Sequence, residues 1–304
     1  MTAPALEVRN LSVRYRGPRG PVTAVDRVSL RLPVGRTTAL VGESGSGKST
    51  LARAIVGLCP SYGGSVLVGG RPLRVRTGRE RRWQAGQVQM VFQDPDTALD
   101  PRMTVRRTLT EAATALHRPD RRSRDLRVAE LLDLVGLDTG IAARLPRELS
   151  GGQRQRVALA RALAVAPGVL IADEITSALD APAQAAVLGT LRELQGRLGL
   201  TVLFISHSLK AVRQMSDQVA VMYLGRIVEH SAADELFRSP RHPYTRILLD
   251  AEPTLAGCVP RPRLPASPHP YSGGPGPSAP PDEAGRPSSS GQGSRPAGRR
   301  DGSQ

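Results

Sequence analysis

TTALVGESGSGKST, residues 37–50, is the stretch from which the fold can be read. The apolar run Ala39-Leu40-Val41 meets a glycine-rich loop, which gives way to Lys48-Ser49-Thr50 and then to an apolar-periodic segment. That is strand, loop and helix in the order a phosphate-binding loop requires, and Gly42 to Ser49 matches G-x-x-x-x-G-K-[ST] completely. The glycines at 42, 45 and 47 permit dihedrals and close backbone approach that a Cβ would forbid. Successive N–H groups through Gly42, Glu43, Ser44, Gly45, Ser46 and Gly47 can then wrap a phosphate at the positive end of the following helix. Lys48 is expected to reach the β- and γ-phosphates as a point charge. The Ser49 hydroxyl would ligate Mg²⁺, and Thr50 would complete the cradle. A nucleoside triphosphate is the expected ligand.

The chain has 304 residues, ample for an independent core. Its formal net charge of +15 would ordinarily suggest nucleic acid or an anionic membrane surface. Lys48 and Lys210 are the only lysines, however, and the remaining positive charge is arginine in a chain rich in Ala, Gly and Pro. A GC-rich genome produces that usage without any basic groove, so no specific nucleic-acid partner is expected. Two cysteines, Cys59 and Cys258, are too few for a disulfide framework or a cysteine metal cluster. The N-terminus lacks a basic-then-apolar signal segment, and no apolar run approaches the ~20 residues needed to cross a bilayer.

Residues 5–16 and 25–32 alternate apolar and polar, which predicts two antiparallel strands joined by a turn around Gly17–Pro21. After the loop, Leu51, Ile55 and Leu58 share a helical face. Short strands are expected at 65–68 and 88–92, the latter ending at Gln93, with an exposed arginine-rich stretch between them at 71–84. Residues 104–143 read as a helical insertion broken at Pro119 and Gly136, which closes on Leu149-Ser150-Gly151-Gly152-Gln153 and a helix over 154–164. The apolar strand 169–172 ends in Asp173-Glu174, and 201–205 ends in Ser206-His207 with a helix between them at 182–197. Gly225 marks a hairpin, and 260–304 has too little to bury to be ordered. The fold class is therefore α/β. It comprises a P-loop NTPase core with a mostly parallel, doubly wound sheet, an N-terminal antiparallel β subdomain and an inserted α-helical subdomain of about 94–160. The domain is expected to span 1–258.

Ligands of open α/β sheets bind beyond the carboxyl ends of the strands, and four features fall there: the loop, Gln93, Asp173-Glu174 and His207. Singly, a glutamine or a histidine after a strand is ordinary. Two adjacent carboxylates at a buried strand end are costly without a partner. Asp173 can hold Mg²⁺ with Ser49 and Gln93, Glu174 can polarise the attacking water, and His207 can orient it beside the γ-phosphate. Ser150, Gly151, Gly152 and Gln153 make a second anion site at a helix start. One nucleotide hardly needs two such sites in one chain, so a head-to-tail pair is expected, each chain covering the other's ATP.

These motifs resemble those of ABC-transporter ATPases. Over roughly residues 5–258 the chain is similar to the ATP-binding subunits of the oligopeptide/dipeptide/nickel import family. The subfamily likeness rests on FQDPDTALDPRMTV (92–105) and SPRHPYTRILL (239–249). The resemblance makes Gly42–Thr50 the Walker A loop, Gln93 the Q-loop glutamine, Leu149–Gln153 the signature and Leu170–Asp173 the Walker B strand. It makes Glu174 the catalytic glutamate, His207 the switch histidine and Ser177–Asp180 the D-loop, with Asp180 among the nucleotide contacts and Tyr15 stacked on adenine. Ile175, Asp100 and Ser208 depart from the usual proline, asparagine and aspartate, and none of the three removes a catalytic group.

The resemblance implies a peripheral ATPase on the cytoplasmic face of the inner membrane. Its partners would be a sister ATPase, two integral-membrane permeases and, indirectly, an extracytoplasmic solute-binding protein. An exporter of drugs or peptides is an alternative, against which the His-Pro-Tyr-Thr ending weighs. A non-transport ATPase acting on DNA or ribosomes is another. The chain carries one set of motifs and no long coiled coil, which weighs against that reading.

Overall fold

The computed structural model describes residues 4–17, 20–60, 62–73, 77–115 and 121–251. The expectations for Pro119, Cys258 and the tail from 260 lie outside the described residues. Strands β1 (Leu6–Gly17), β2 (Gly20–Leu32), β4 (Gly63–Val68) and β5 (Arg71–Pro72) form an antiparallel sheet in the order β2-β1-β4-β5. In β1 the buried residues change phase from Leu6 and Val8 to Leu11 and Val13. The change is absorbed at Asn10, a bulge with φ 47°. β2 does the same at Arg27, φ 48°. Each bulge leaves an N–H outside the ladder, and a serine across the sheet accepts it: Asn10 N–H to Ser29 Oγ at 2.9 Å, Arg27 N–H to Ser12 Oγ at 3.0 Å.

The second sheet runs β10-β9-β3-β8-β7-β6. It contains β3 (Thr37–Val41), β6 (Val88–Val91), β7 (Val169–Asp173), β8 (Thr201–Ile205), β9 (Gln218–Tyr223) and β10 (Arg226–Ala232). Adjacent strands are parallel except β10, which pairs antiparallel with β9. β3, β7 and β8 are buried throughout, as parallel strands covered on both faces must be. Leu40, Ile171, Leu203 and Met222 pack with the antiparallel sheet and α1 (Lys48–Ile55). Ala39, Ala172, Val202 and Phe204 face the opposite core.

That core is built mainly by helices: α4 (Val105–Thr114), α5 (Arg121–Leu134), α6 (Gly151–Leu163), α7 (Ala181–Leu198) and α8 (Leu209–Met215). α2 (Gly78–Gln87) lies before β6 and α3 (Pro95–Ala98) after it; α9 (Ala233–Arg238) and α10 (Pro243–Asp250) follow β10. One local expectation is corrected and another is extended. Leu58 is 60% exposed, because α1 ends at Ile55 and Gly57 turns the chain with φ 74°. The arginine-rich stretch is partly helical: α2 has little apolar face but is held by a Thr77–Glu80 capping box. The Arg71 guanidinium lies 4.3 Å from the centroid of the Trp83 ring there.

Candidate functional site

The spatial order β3-β8-β7-β6 brings the ends of four parallel strands to one edge. The glycine-rich loop, His207, Asp173-Glu174 and Gln93 therefore follow one another along that edge. Val41 delivers the chain into the loop between β9 and β2. A Cβ at Gly42 would lie 2.1 Å from the Met222 carbonyl oxygen, and one at Gly47 would lie 2.3 Å from that of Ala24. Both obstacles are backbone, so only glycine fits. Glu43, Ser44 and Gly45 are exposed, whereas Ser46 is buried. The Lys48 ammonium donates to the carbonyls of Gly42 and Glu43, 2.8 Å each, and lies 3.5 Å from Ser46 Oγ. Burial pulls its pKa down, opposed by the carboxylates of Glu174, Asp173 and Glu43. Gly47 caps α1 without any side chain, leaving the helix's first N–H groups free of a side-chain cap.

At the end of β7, Asp173 is 2% exposed and accepts a hydrogen bond from Ser49 Oγ at 3.0 Å. Burial raises its pKa; the Ser49 bond opposes the rise. Glu174 takes φ 48°, unusual for a non-glycine residue, and is fixed there by its N–H donating to the Ile205 carbonyl of β8 at 2.9 Å. The bend leaves the Glu174 carboxylate 3.6 Å from His207 Nδ1, with the imidazole largely exposed. Loop, metal-type carboxylate, glutamate and histidine are thus brought together. This much agrees with the grouping expected from sequence.

The remaining residues lie outside this group, as a head-to-tail pairing expects of Ser150–Gln153. Gln93 is exposed just past β6, and among the described residues its side chain has no hydrogen bond to Ser49 or Asp173. Ser150 and Gln153 bond each other in a capping box: Gln153 N–H to Ser150 Oγ at 3.2 Å, Ser150 N–H to Gln153 Oε1 at 2.9 Å. Gly151 and Gly152 lie against Leu179 and Ala183, where added Cβ atoms would approach to 3.2 Å in each case. Asp180 caps α7, its carboxylate accepting the Ala183 N–H at 2.8 Å. The Tyr15 ring, expected near the adenine, is 40% exposed at the β1–β2 end.

A family model for the ABC transporter matches residues 25–177, from β2 through the loop, the signature and Glu174. The chain belongs to the ABC transporter family. It is 46% identical to the oligopeptide transport ATP-binding protein OppF of Bacillus subtilis (strain 168), over 83% of this chain and 84% of that relative. It is 42% identical to the dipeptide transport ATP-binding protein DppF of Lactococcus lactis subsp. cremoris (strain MG1363), over 87% of each. Among solved structures it is similar to the ATP-binding cassette MJ0796 in a dimeric post-hydrolysis state bound to ADP and Pi. The TM-score is 0.68 and the identity 26%, over 75% of this chain and 98% of that one. It is similar also to CbiO1 of Clostridium perfringens, part of the ABC transporter complex CbiONQ, with TM-score 0.69 and 29% identity over 78% and 92%. The chain is an ABC ATPase, which accounts for a loop suited to a triphosphate beside two adjacent carboxylates.

Sequence reasoning passed over two residues of this ABC ATPase that touch the loop. Gly225, in the β9–β10 turn, donates its N–H to the Ser46 carbonyl at 2.9 Å. Tyr244, on α10, accepts the Glu43 N–H on its hydroxyl at 2.9 Å. In the sequence Gly225 marks only a hairpin and Tyr244 only the His-Pro-Tyr-Thr segment. Among the described residues no helix is long and apolar enough to cross a membrane.

Proposed function

We propose that this ABC ATPase binds MgATP on Gly42–Thr50 and powers the import of oligopeptides, dipeptides or a related solute. The observation that carries the chemical part is the contact between loop and strand end: Ser49 bonded to a buried Asp173 at 3.0 Å, with Glu174 turned toward His207. Lys48 would exchange its two carbonyl partners for the β- and γ-phosphate oxygens. The Ser49 hydroxyl and the desolvated Asp173 carboxylate are hard oxygen donors already in contact, which suits magnesium, an ion that takes few protein ligands beside phosphates and water. Gln93, one strand away, could join them on closure. When bound, the ion would neutralise charge developing on the phosphate oxygens. Glu174 accepts a proton from the attacking water, and His207 holds that water beside the γ-phosphate. Tyr15 offers its exposed ring to the adenine.

Ser150–Gln153 would cover the nucleotide of a second ATPase subunit, and Asp180 would lie at that junction. Ser150 supports this, since it is exposed at the N-cap of α6, the positive end of that helix's dipole. The dimeric state of the similar cassette points the same way. For the permease, an open groove beside α3 and α4, lined by Asp96, Leu99, Met103, Arg107, Thr110 and Glu111, offers a seat to a cytoplasmic coupling helix. Import rather than export, and peptides as the solute class, are supported by the names of the relatives. The protein would then sit peripherally on the cytoplasmic face of the membrane with two permeases, served by an extracytoplasmic binding protein.

Glu174→Gln tests the chemistry. ATP binding should persist while turnover falls by a factor of ~10² or more. Turnover equal to the wild type would remove Glu174 from its role.

A further inference from the structure

We propose that Tyr244 is a positioning residue for the nucleotide loop, and that the C-terminal helix α10 is a strap that holds the loop ready for ATP. The inference rests on reading Gly42–Thr50 as the ATP site. The strap begins at Glu229 of β10, whose carboxylate accepts the N–H groups of Arg241 and His242, both at 2.9 Å. His242 then caps α10 by accepting the Tyr244 N–H on Nδ1 at 3.2 Å, with Pro243 at the first helical position. These contacts fix where Tyr244 enters the protein. Tyr244 is 4% exposed, and its ring packs on Tyr223, centroids 4.2 Å apart and planes tilted by 33°. Its hydroxyl reaches the Glu43 N–H at 2.9 Å.

Tyr223 is the last residue of β9, and the turn that follows gives Gly225, whose N–H holds the Ser46 carbonyl. The arc Glu43–Ser46 is therefore tied at one end by the strap and at the other by the hairpin from which the strap departs. Between these ties Ser44 and Gly45 are exposed. The Glu43 carbonyl is held from inside the loop by the Lys48 ammonium at 2.8 Å and the Ser46 N–H at 3.2 Å, so the Tyr244 hydroxyl is what holds the N–H side of that residue. Without the Tyr244 hydroxyl, the Glu43 N–H would lack its partner in this conformation and could gain one by turning toward water. ATP would then have to restore the cradle as it binds, and its apparent affinity would fall by the fraction of molecules no longer poised. Among the described residues no hydrogen bond or ion pair joins Glu174 or His207 to the strap, so the chemical step should be spared.

Tyr244→Phe keeps the ring and removes only the acceptor. The dissociation constant for ATP should rise about tenfold, the equivalent of one lost hydrogen bond of ~1.4 kcal/mol, with kcat at saturating ATP within about twofold. Glu229→Gln, which loosens the strap at its other end, should raise the same constant by a smaller factor. Combined with Tyr244→Phe it should add little, because both changes act on one device. An unchanged ATP affinity in Tyr244→Phe, or fully multiplicative losses in the double variant, would overturn the proposal. Lys48→Ala separates this from the loop assignment: if Lys48→Ala weakens ATP binding and Tyr244→Phe does not, only the strap is wrong. If Lys48→Ala binds ATP normally, the loop reading itself fails.

Discussion

Gly42 sits where any side chain would collide with the Met222 carbonyl, 2.1 Å from the position of its Cβ. Gly42→Ala must push the loop off β9, so we expect a stability loss of about 1–3 kcal/mol. ATP affinity should fall more than tenfold, since the Lys48 contact to the Gly42 carbonyl moves with it. Thermal melts and equilibrium nucleotide binding check both; a variant that binds and melts as the wild type would contradict the close approach. The grouping of Lys48, Ser49, Asp173 and Glu174 could be read from sequence because each stands at a fixed place in a motif next to a strand end. The left-handed turn of Glu174 could not, as it depends on a carbonyl supplied by Ile205 on a neighbouring strand. Nor could the role of Tyr244, whose partner is 201 residues away in the chain.

Elements were legible where an apolar period set them and illegible where capping or cross-strand contacts did. The buried strands β3, β7 and β8 and the helices α4 and α7 follow their apolar patterns. α2 had no such pattern and is held by its capping box; the bulges of β1 and β2 depend on serines across the sheet. α10 shows the same dependence on a distant group, and it carries a pH signature. Burial pushes the Glu229 carboxyl up, but the bonds from the Arg241 and His242 N–H groups help to hold its pKa below the ordinary value. A lowered folded-state pKa means the stabilisation is present above the unfolded value of about 4.3 and is lost as pH falls through the folded value. Glu229→Gln should therefore melt below wild type at pH 7, by about 1 kcal/mol, and the gap should close toward pH 3. A gap of constant size across that range would show that the carboxylate charge does not anchor the strap.

For the whole molecule, alternation of strands and helices was enough to predict a mostly parallel, doubly wound sheet with an antiparallel subdomain and a helical insertion. The pairing order was not readable, because β3 lies between β8 and β9, which are far from it in sequence. That order is what collects the loop, Asp173, Glu174 and His207 on one edge. The outer surfaces, the α3–α4 groove and the α6 N-cap at Ser150, are what the proposed permease and second ATPase would cover. The most direct test is to recover the tagged chain from detergent-solubilised native membranes and identify by mass spectrometry what accompanies it. The account predicts two multi-span permeases, a second ATPase subunit and an extracytoplasmic solute-binding protein of the peptide-binding class. Recovery with ribosomal or DNA-repair proteins, and without any membrane subunit, would contradict the transport reading while leaving the ATPase chemistry in place.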